Sequence, residues 1–230
     1  RFSTENRCIK YLFKQKWPDG FLCPRCSHRC YSLHTTRKLY QCKKCKYQAS
    51  VTSGTLFHGT RTPLKKWFWM IYLLTRNKTG CSISYLQQML QINLYKTAWT
   101  MAHKIHHAMQ QRESLYQIGS ELEMDDSYFG ERHVSGKRGR GAAKKVPVLV
   151  AVQTYRIKDK TKPVYVKMHV MENMTKKPVE DFVHQNIRPA TKIKTDGFKS
   201  YLWLEKSEYE FEPVSVVFPK EASQKLPWVH

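Results

Sequence analysis

Two groups of residues in this 230-residue chain have the types and spacing to do chemistry. The first is thiol. Cys23-Pro-Arg-Cys26 and Cys42-Lys-Lys-Cys45 repeat one Cys-x-x-Cys pattern with fifteen residues between them. A two-residue gap lets both thiolates of a pair reach one ion at about 2.3 Å, and the intervening segment is long enough for a hairpin that brings the second pair opposite. Cys23, Cys26, Cys42 and Cys45 therefore read as a structural Zn2+ site of zinc-ribbon type. Two disulfides, or four core thiols, are the alternative. Arg25, Lys43 and Lys44 within the pairs would offset the double negative charge of a zinc tetrathiolate and could touch phosphates. Cys8, Cys30 and Cys81 read as ordinary thiols, with Cys30 near enough to compete as a ligand.

The second group is acidic. Asp125, with Asp126 beside it, interrupts an apolar strand pattern, and Asp196 precedes Gly197 at the end of another. Carboxylates at the ends of adjacent strands can hold two Mg2+ ions between them, which activate an attacking oxygen and stabilise a leaving one. Alternation places Leu122, Met124, Asp126 and Tyr128 on one face and Glu123, Asp125 and Ser127 on the other, which does not choose between Asp125 and Asp126. A turn at Asp196-Gly197 and an edge-strand charge at Asp125-Asp126 would present the same residues.

The elements that must position these groups follow from periodicity. Ser3 can cap a helix to about Lys16, ended by Trp17-Pro-Asp-Gly20. Thr62-Pro63 opens a second helix with Leu64, Trp67, Phe68, Ile71 and Leu74 on its apolar face. A short helix over 82–90, a turn and a longer helix over 95–109 then make a helix-turn-helix outline. In such a unit the second helix meets DNA with polar residues near its start, here Tyr95, Lys96, Thr97 and Thr100. A plain helical bundle gives the same outline. His103, His106 and His107 share a face of that helix but have no acid or cysteine nearby, so they read as polar surface.

From Glu121 the period changes to strands, over 121–129, 146–155 and 164–171, then a helix over 175–185, a strand over 191–195 and a further helix. That order predicts a mixed-sheet, RNase H-like fold behind the helical segments, a multidomain α+β or α/β architecture. The boundaries fall at 1–60 for helix and ribbon, 61–118 for the helix-turn-helix region and 119–230 for the acidic core. Between the first two strands runs Gly136-Lys-Arg-Gly-Arg-Gly-Ala-Ala-Lys-Lys145, whose Lys137, Arg138, Arg140, Lys144 and Lys145 can lie along a DNA backbone near the acids.

Composition agrees. The net charge is +22, while 41% apolar and 13% aromatic residues exclude a disordered basic tail. Residues 1–120 hold 20 Lys and Arg against Glu5, Asp19 and Glu113, whereas residues 121–230 hold 20 against 15 acids. Acids are scarce where phosphates would be held and kept where metal would be held. The longest apolar run, Trp67 to Leu74, falls far short of the roughly 20 residues that span a bilayer, and no signal-peptide pattern opens the chain.

With these residues assembled, the chain resembles prokaryotic insertion-sequence transposases of the DDE superfamily that carry an N-terminal zinc ribbon. The resemblance covers nearly the whole chain. It rests on Trp17-Pro-Asp-Gly20 leading into Cys23-Pro-Arg-Cys26, Ser53-Gly-Thr-Leu-Phe-His58, Thr62-Pro63-Leu64, Lys96-Thr-Ala-Trp99, Glu123-Met-Asp-Asp-Ser-Tyr-Phe-Gly130, Gly139-Arg-Gly141 and Thr195-Asp-Gly197. It implies Mg2+-dependent cleavage and strand transfer at terminal inverted repeats, in which water and then a freed 3′-hydroxyl attack phosphorus. Asp125 and Asp196 are the implied catalytic, magnesium-binding acids, and transposon-end and target DNA the implied partners. A homo-oligomer on DNA in the bacterial cytoplasm, associated with the nucleoid, is implied as well. The family's third ligand, Glu or Asn, lies beyond a segment like Leu226-Pro-Trp-Val-His230, so Glu205, Glu208, Glu210, Glu212 and Glu221 come too early. The chain, which also opens on Arg1, thus reads as a C-terminally incomplete core. A non-catalytic DNA-binding protein, or an inactive relic acting as a repressor, is the competing reading.

Overall fold

The structure, a computed structural model, describes residues 2–77, 79–130, 145–158, 160–214, 221 and 224–229. The chain divides into two compact units, Arg1–Gln111 and Arg112–His230.

The first unit opens with α1 (Glu5–Lys16), capped by Thr4 rather than Ser3: the Thr4 hydroxyl accepts the Arg7 N–H, and Ser3 Oγ takes the Arg7 guanidinium instead. Glu5 in the first turn and Lys14 and Lys16 in the last suit the helix dipole. Strands β1 (Tyr31–His34), β2 (Leu39–Cys42) and β3 (Gln48–Ser50) form an antiparallel sheet in sequence order. Then come α2 (Leu64–Arg76), α3 (Ile83–Met89) and α4 (Tyr95–Glu113). The buried stripe of α2 is Leu64, Trp67 and Met70, with Phe68, Ile71 and Leu74 only partly buried, so the face lies slightly rotated from the one expected. No side chain next to Pro63 caps α2. The Glu5 carboxylate does so from 59 residues away, accepting the N–H groups of Leu64 at 3.0 Å and Lys65 at 3.1 Å. Ser82 caps α3, and α4 buries Ala98, Met101, Ala102 and Ile105 at helical spacing. Ribbon and helices, expected as separate segments over 1–60 and 61–118, contribute to one hydrophobic core that runs from Cys8 to Ile105.

The second unit is built on a five-stranded mixed sheet of order β6-β5-β4-β7-β8. Its strands are β4 (Glu121–Phe129), β5 (Val146–Ile157), β6 (Lys160–Val170), β7 (Lys192–Thr195) and β8 (Glu210–Pro213). Strand β4 lies at the centre, antiparallel to β5 and parallel to β7. Helix α5 (Lys176–Asn186) makes the crossover from β6 to β7, and a 3-10 helix over Lys199–Lys206 links β7 to β8. One sheet face, carrying Leu122, Met124, Leu149 and Ala151, packs on Val179, Phe182 and Val183 of α5 and on Tyr201 and Leu204. The other face presents Val148, Val150 and Val152, against which Val229 packs. Strand β8 is not foreseen from the sequence. Glu210-Phe-Glu-Pro213 has an edge strand's composition rather than a core strand's, and Glu212 pairs with Lys192 at 2.7 Å across its one strand neighbour.

Candidate functional site

The two cysteine pairs sit on two copies of one turn. In the first, Ser27 N–H donates to the Cys23 carbonyl and Cys23 N–H to His28; in the second, Lys46 N–H donates to Cys42 and Cys42 N–H to Tyr47. Each turn closes on a residue in the left-handed region, Ser27 at φ 55° and Lys46 at φ 60°. Strand β2 leads directly into the second turn, so the hairpin β1–β2 delivers it opposite the first. The four sulfurs lie within 4.8 Å of one another, with Cys23–Cys45 and Cys26–Cys42 both at 3.6 Å. Four sulfurs placed tetrahedrally about 2.3 Å from one ion are about 3.8 Å apart, so the cluster fits Zn2+, whereas disulfide sulfurs are about 2.05 Å apart. Burial opposes ionisation of Cys42, but the amides of Cys45 and Lys44 and the thiols of Cys26 and Cys45 prevail and bring it down to about 7. The rings of Phe13, Trp17, Phe21, Tyr31 and Tyr40 pack against one another in edge-on and tilted contacts that join the ribbon to α1. Arg25, Lys43 and Lys44 are exposed. Cys30 is exposed and outside the cluster, while Cys8 is buried in the core.

At the start of α4, Tyr95 and Lys96 are exposed and Thr97 is half-buried. The Thr100 hydroxyl donates back to the Lys96 carbonyl at 2.8 Å. Trp99, one turn along and exposed, packs on His103 with ring centroids 3.7 Å apart and the rings tilted by 35°. The composition of the sequence draws attention to cations and passes over this aromatic pair. His103, His106 and His107 join no metal-type cluster among the described residues. Lys145 is half-buried just before β5; Lys137, Arg138, Arg140 and Lys144 lie outside the described residues.

The acids converge because β4 and β7 run parallel. Their register pairs Glu121 with Lys192, Leu122 with Ile193 and Glu123 with Lys194, and two further steps bring Asp125 beside Asp196. Beyond the end of β7, Gly197 adopts φ +71°, the left-handed region that favours glycine, directly after Asp196. One oxygen of Asp196 accepts the Phe198 N–H at 3.0 Å, and one of Asp125 the Asp126 N–H at 2.8 Å. Carboxylate oxygens of Asp125, Asp126 and Asp196 all come within 4.8 Å of one another, Asp125 buried and the other two half-buried. Alternation assigns Asp125 and Asp126 to opposite faces, yet both reach the cluster. None of Glu205, Glu208, Glu210, Glu212 or Glu221 belongs to it. The oxygens are hard donors, and their mutual approach to within 4.8 Å is compatible with a shared divalent cation such as Mg2+.

A paired-turn thiolate ribbon, followed by an RNase H-like mixed sheet with clustered carboxylates, defines a zinc-ribbon protein of the DDE transposase class. Residues 3–48 match the transposase zinc-ribbon domain, and residues 117–229 match the ISXO2-like transposase domain. The chain belongs to this family of insertion-sequence transposases. It is 27% identical over 166 residues to an uncharacterized protein in transposable element ISH50 of Halobacterium salinarum, a match covering 65% of this chain and 55% of the relative. No solved structure matches. No helix among the described residues is long and apolar enough to cross a membrane.

Proposed function

We propose that the chain carries out DNA cleavage and strand transfer at the terminal inverted repeats of an insertion sequence, with Asp125 and Asp196 as its catalytic acids. The observation that supports this most directly is the placement of the two carboxylates side by side where the parallel pairing of β4 with β7 ends, within the segment that matches the transposase domain. Asp125 and Asp196, with Asp126 within reach, would hold Mg2+, which when bound supplies Lewis-acid stabilisation of charge at phosphorus. The residues around them do the rest. The Phe198 amide fixes the Asp196 carboxylate, the Asp126 amide fixes that of Asp125, and the sheet's apolar faces keep β4 and β7 in register. Cys23, Cys26, Cys42 and Cys45 would hold a structural Zn2+ that stabilises the ribbon. Tyr95, Lys96 and Thr97 would lie on transposon-end DNA, and Lys137, Arg138, Arg140, Lys144 and Lys145 on the backbone near the acids. The protein would work in the bacterial cytoplasm at the nucleoid, as a homo-oligomer that holds two DNA ends.

The test is strand transfer with inverted-repeat DNA and Mg2+ or Mn2+, on the product of the whole reading frame. Joined products that disappear with Asp125→Ala and with Asp196→Ala are the expected result. Activity that survives either change overturns the assignment, and metal-independent binding without cleavage would favour a DNA-binding role alone.

A further inference from the structure

Glu123 lies two residues before Asp125 on the same face of β4, yet it is not part of the carboxylate cluster. It is 6% exposed, and a carboxylate that deep in a sheet is costly unless its oxygens accept hydrogen bonds. One of them accepts the backbone N–H of Trp228 at 2.9 Å, across 105 residues of sequence. Register places Val152 opposite Glu123 and Val150 opposite Asp125, and Val229 packs on these valines. Leu226 is fully buried on the other side of the tied amide. Pro227 has no N–H to offer, so the Trp228 amide is the polar handle between two apolar anchors. Leu226–Val229 is thus a strap seated on the sheet face that carries Asp125.

We propose that Glu123 is a positioning residue that ties this strap across β4 and thereby keeps Asp125 buried and its carboxylate aimed at Asp196. The role rests on the reading of Asp125 and Asp196 as metal-binding acids. It separates two acids that share a face and look alike in sequence: Asp125 reaches the Asp196 carboxylate, and Glu123 a backbone amide. A buried, charge-assisted hydrogen bond is among the stronger local restraints available to such a segment.

The experiment uses the 230-residue chain and two readouts, amide hydrogen exchange at Trp228 followed by NMR and Mn2+ affinity followed by EPR. In Glu123→Met, which keeps the length but cannot accept, Trp228 exchange rises about tenfold or more. Mn2+ binding weakens about tenfold, as when a ligand loses its supporting partner. Glu123→Gln, whose side-chain carbonyl accepts the same N–H, restores both. Glu123→Ala serves in place of the methionine variant should that fail to fold. Unchanged exchange at Trp228 overturns the tether, and faster exchange with unchanged Mn2+ affinity overturns the positioning role. Asp125→Asn should abolish Mn2+ binding while leaving Trp228 exchange slow. Mn2+ binding that persists in this variant removes the metal reading, and the positioning role with it, but leaves the tether standing.

Discussion

Asp196 stands beside Asp125 because Lys194 pairs with Glu123: the parallel ladder between β7 and β4 carries one acid to the other. Neither strand alone makes a site. We expect Asp125→Asn and Asp196→Asn each to weaken Mn2+ binding by more than about 100-fold, since even supporting partners of metal ligands contribute about 10- to 100-fold. The folded sheet should persist, so far-UV circular dichroism should be unchanged while calorimetric Mn2+ titration shows the loss.

The paired turns of the ribbon predict one zinc per chain. Metal analysis of purified protein should find it, and Cys42→Ser should lose it, because a tetrahedral structural site tolerates no missing thiolate. Chelation should unfold the ribbon, given that structural zinc contributes about 10 to 16 kcal/mol of binding free energy in small zinc-finger peptides. Near-ultraviolet circular dichroism, which reports the edge-to-face packing of Phe13, Trp17 and Tyr40, should lose intensity on adding chelator. Intensity that does not change would show a ribbon that stands without metal.

Glu5 caps α2 through the Leu64 and Lys65 amides. Glu5→Ala should therefore destabilise the first unit by about 1 to 2 kcal/mol, the usual range for a lost helix cap. Urea unfolding followed by tryptophan fluorescence measures it. Lys38, which pairs with Glu5 at 3.8 Å at the surface, should contribute far less when replaced by Ala.

Lys167 is buried on β6, donates to the Glu113 carbonyl and lies 4.4 Å from the centroid of the Tyr116 ring. Burial lowers its pKa below the ordinary 10.5, against a smaller opposing pull from Glu113. Between that lowered pKa and the unfolded value the unfolded chain binds more protons, so stability should rise as pH rises through this interval. Lys167→Met should flatten the rise, as read from urea midpoints across alkaline pH.

Lys96, exposed at the start of α4, is expected to contact DNA phosphate. Lys96→Ala should weaken binding to all sequences alike and reduce the slope of log affinity against log salt by about 1. Fluorescence anisotropy at several salt concentrations reads both. A slope equal to that of the unsubstituted chain would place Lys96 away from the backbone.

Local patterns suffice where short-range chemistry decides. The Cys-x-x-Cys pairs, the 3.6-residue spacing of α4 and the alternation of β4 each carry their own geometry, so the zinc-ribbon cluster and the span of β4 are legible from residues 23–45 and 121–129 alone. Composition likewise exposes the asymmetry between a nearly acid-free first half and a mixed second half. What the tertiary structure decided depends on partners far apart in the chain. Glu5 reads as a first-turn acid of α1 and becomes the cap of α2; Glu210-Phe-Glu-Pro213 carries no assignment from local pattern and becomes an edge strand because β7 offers it a ladder. Asp125 and Asp126 cannot be told apart by period, and both reach Asp196 only through the strand-to-strand register. Glu123 is the sharpest instance. Alternation places it on the same face as Asp125, and the tertiary structure brings the Trp228 amide to it across 105 residues, because hydrogen bonding in a buried sheet face is settled by the donors the fold brings there.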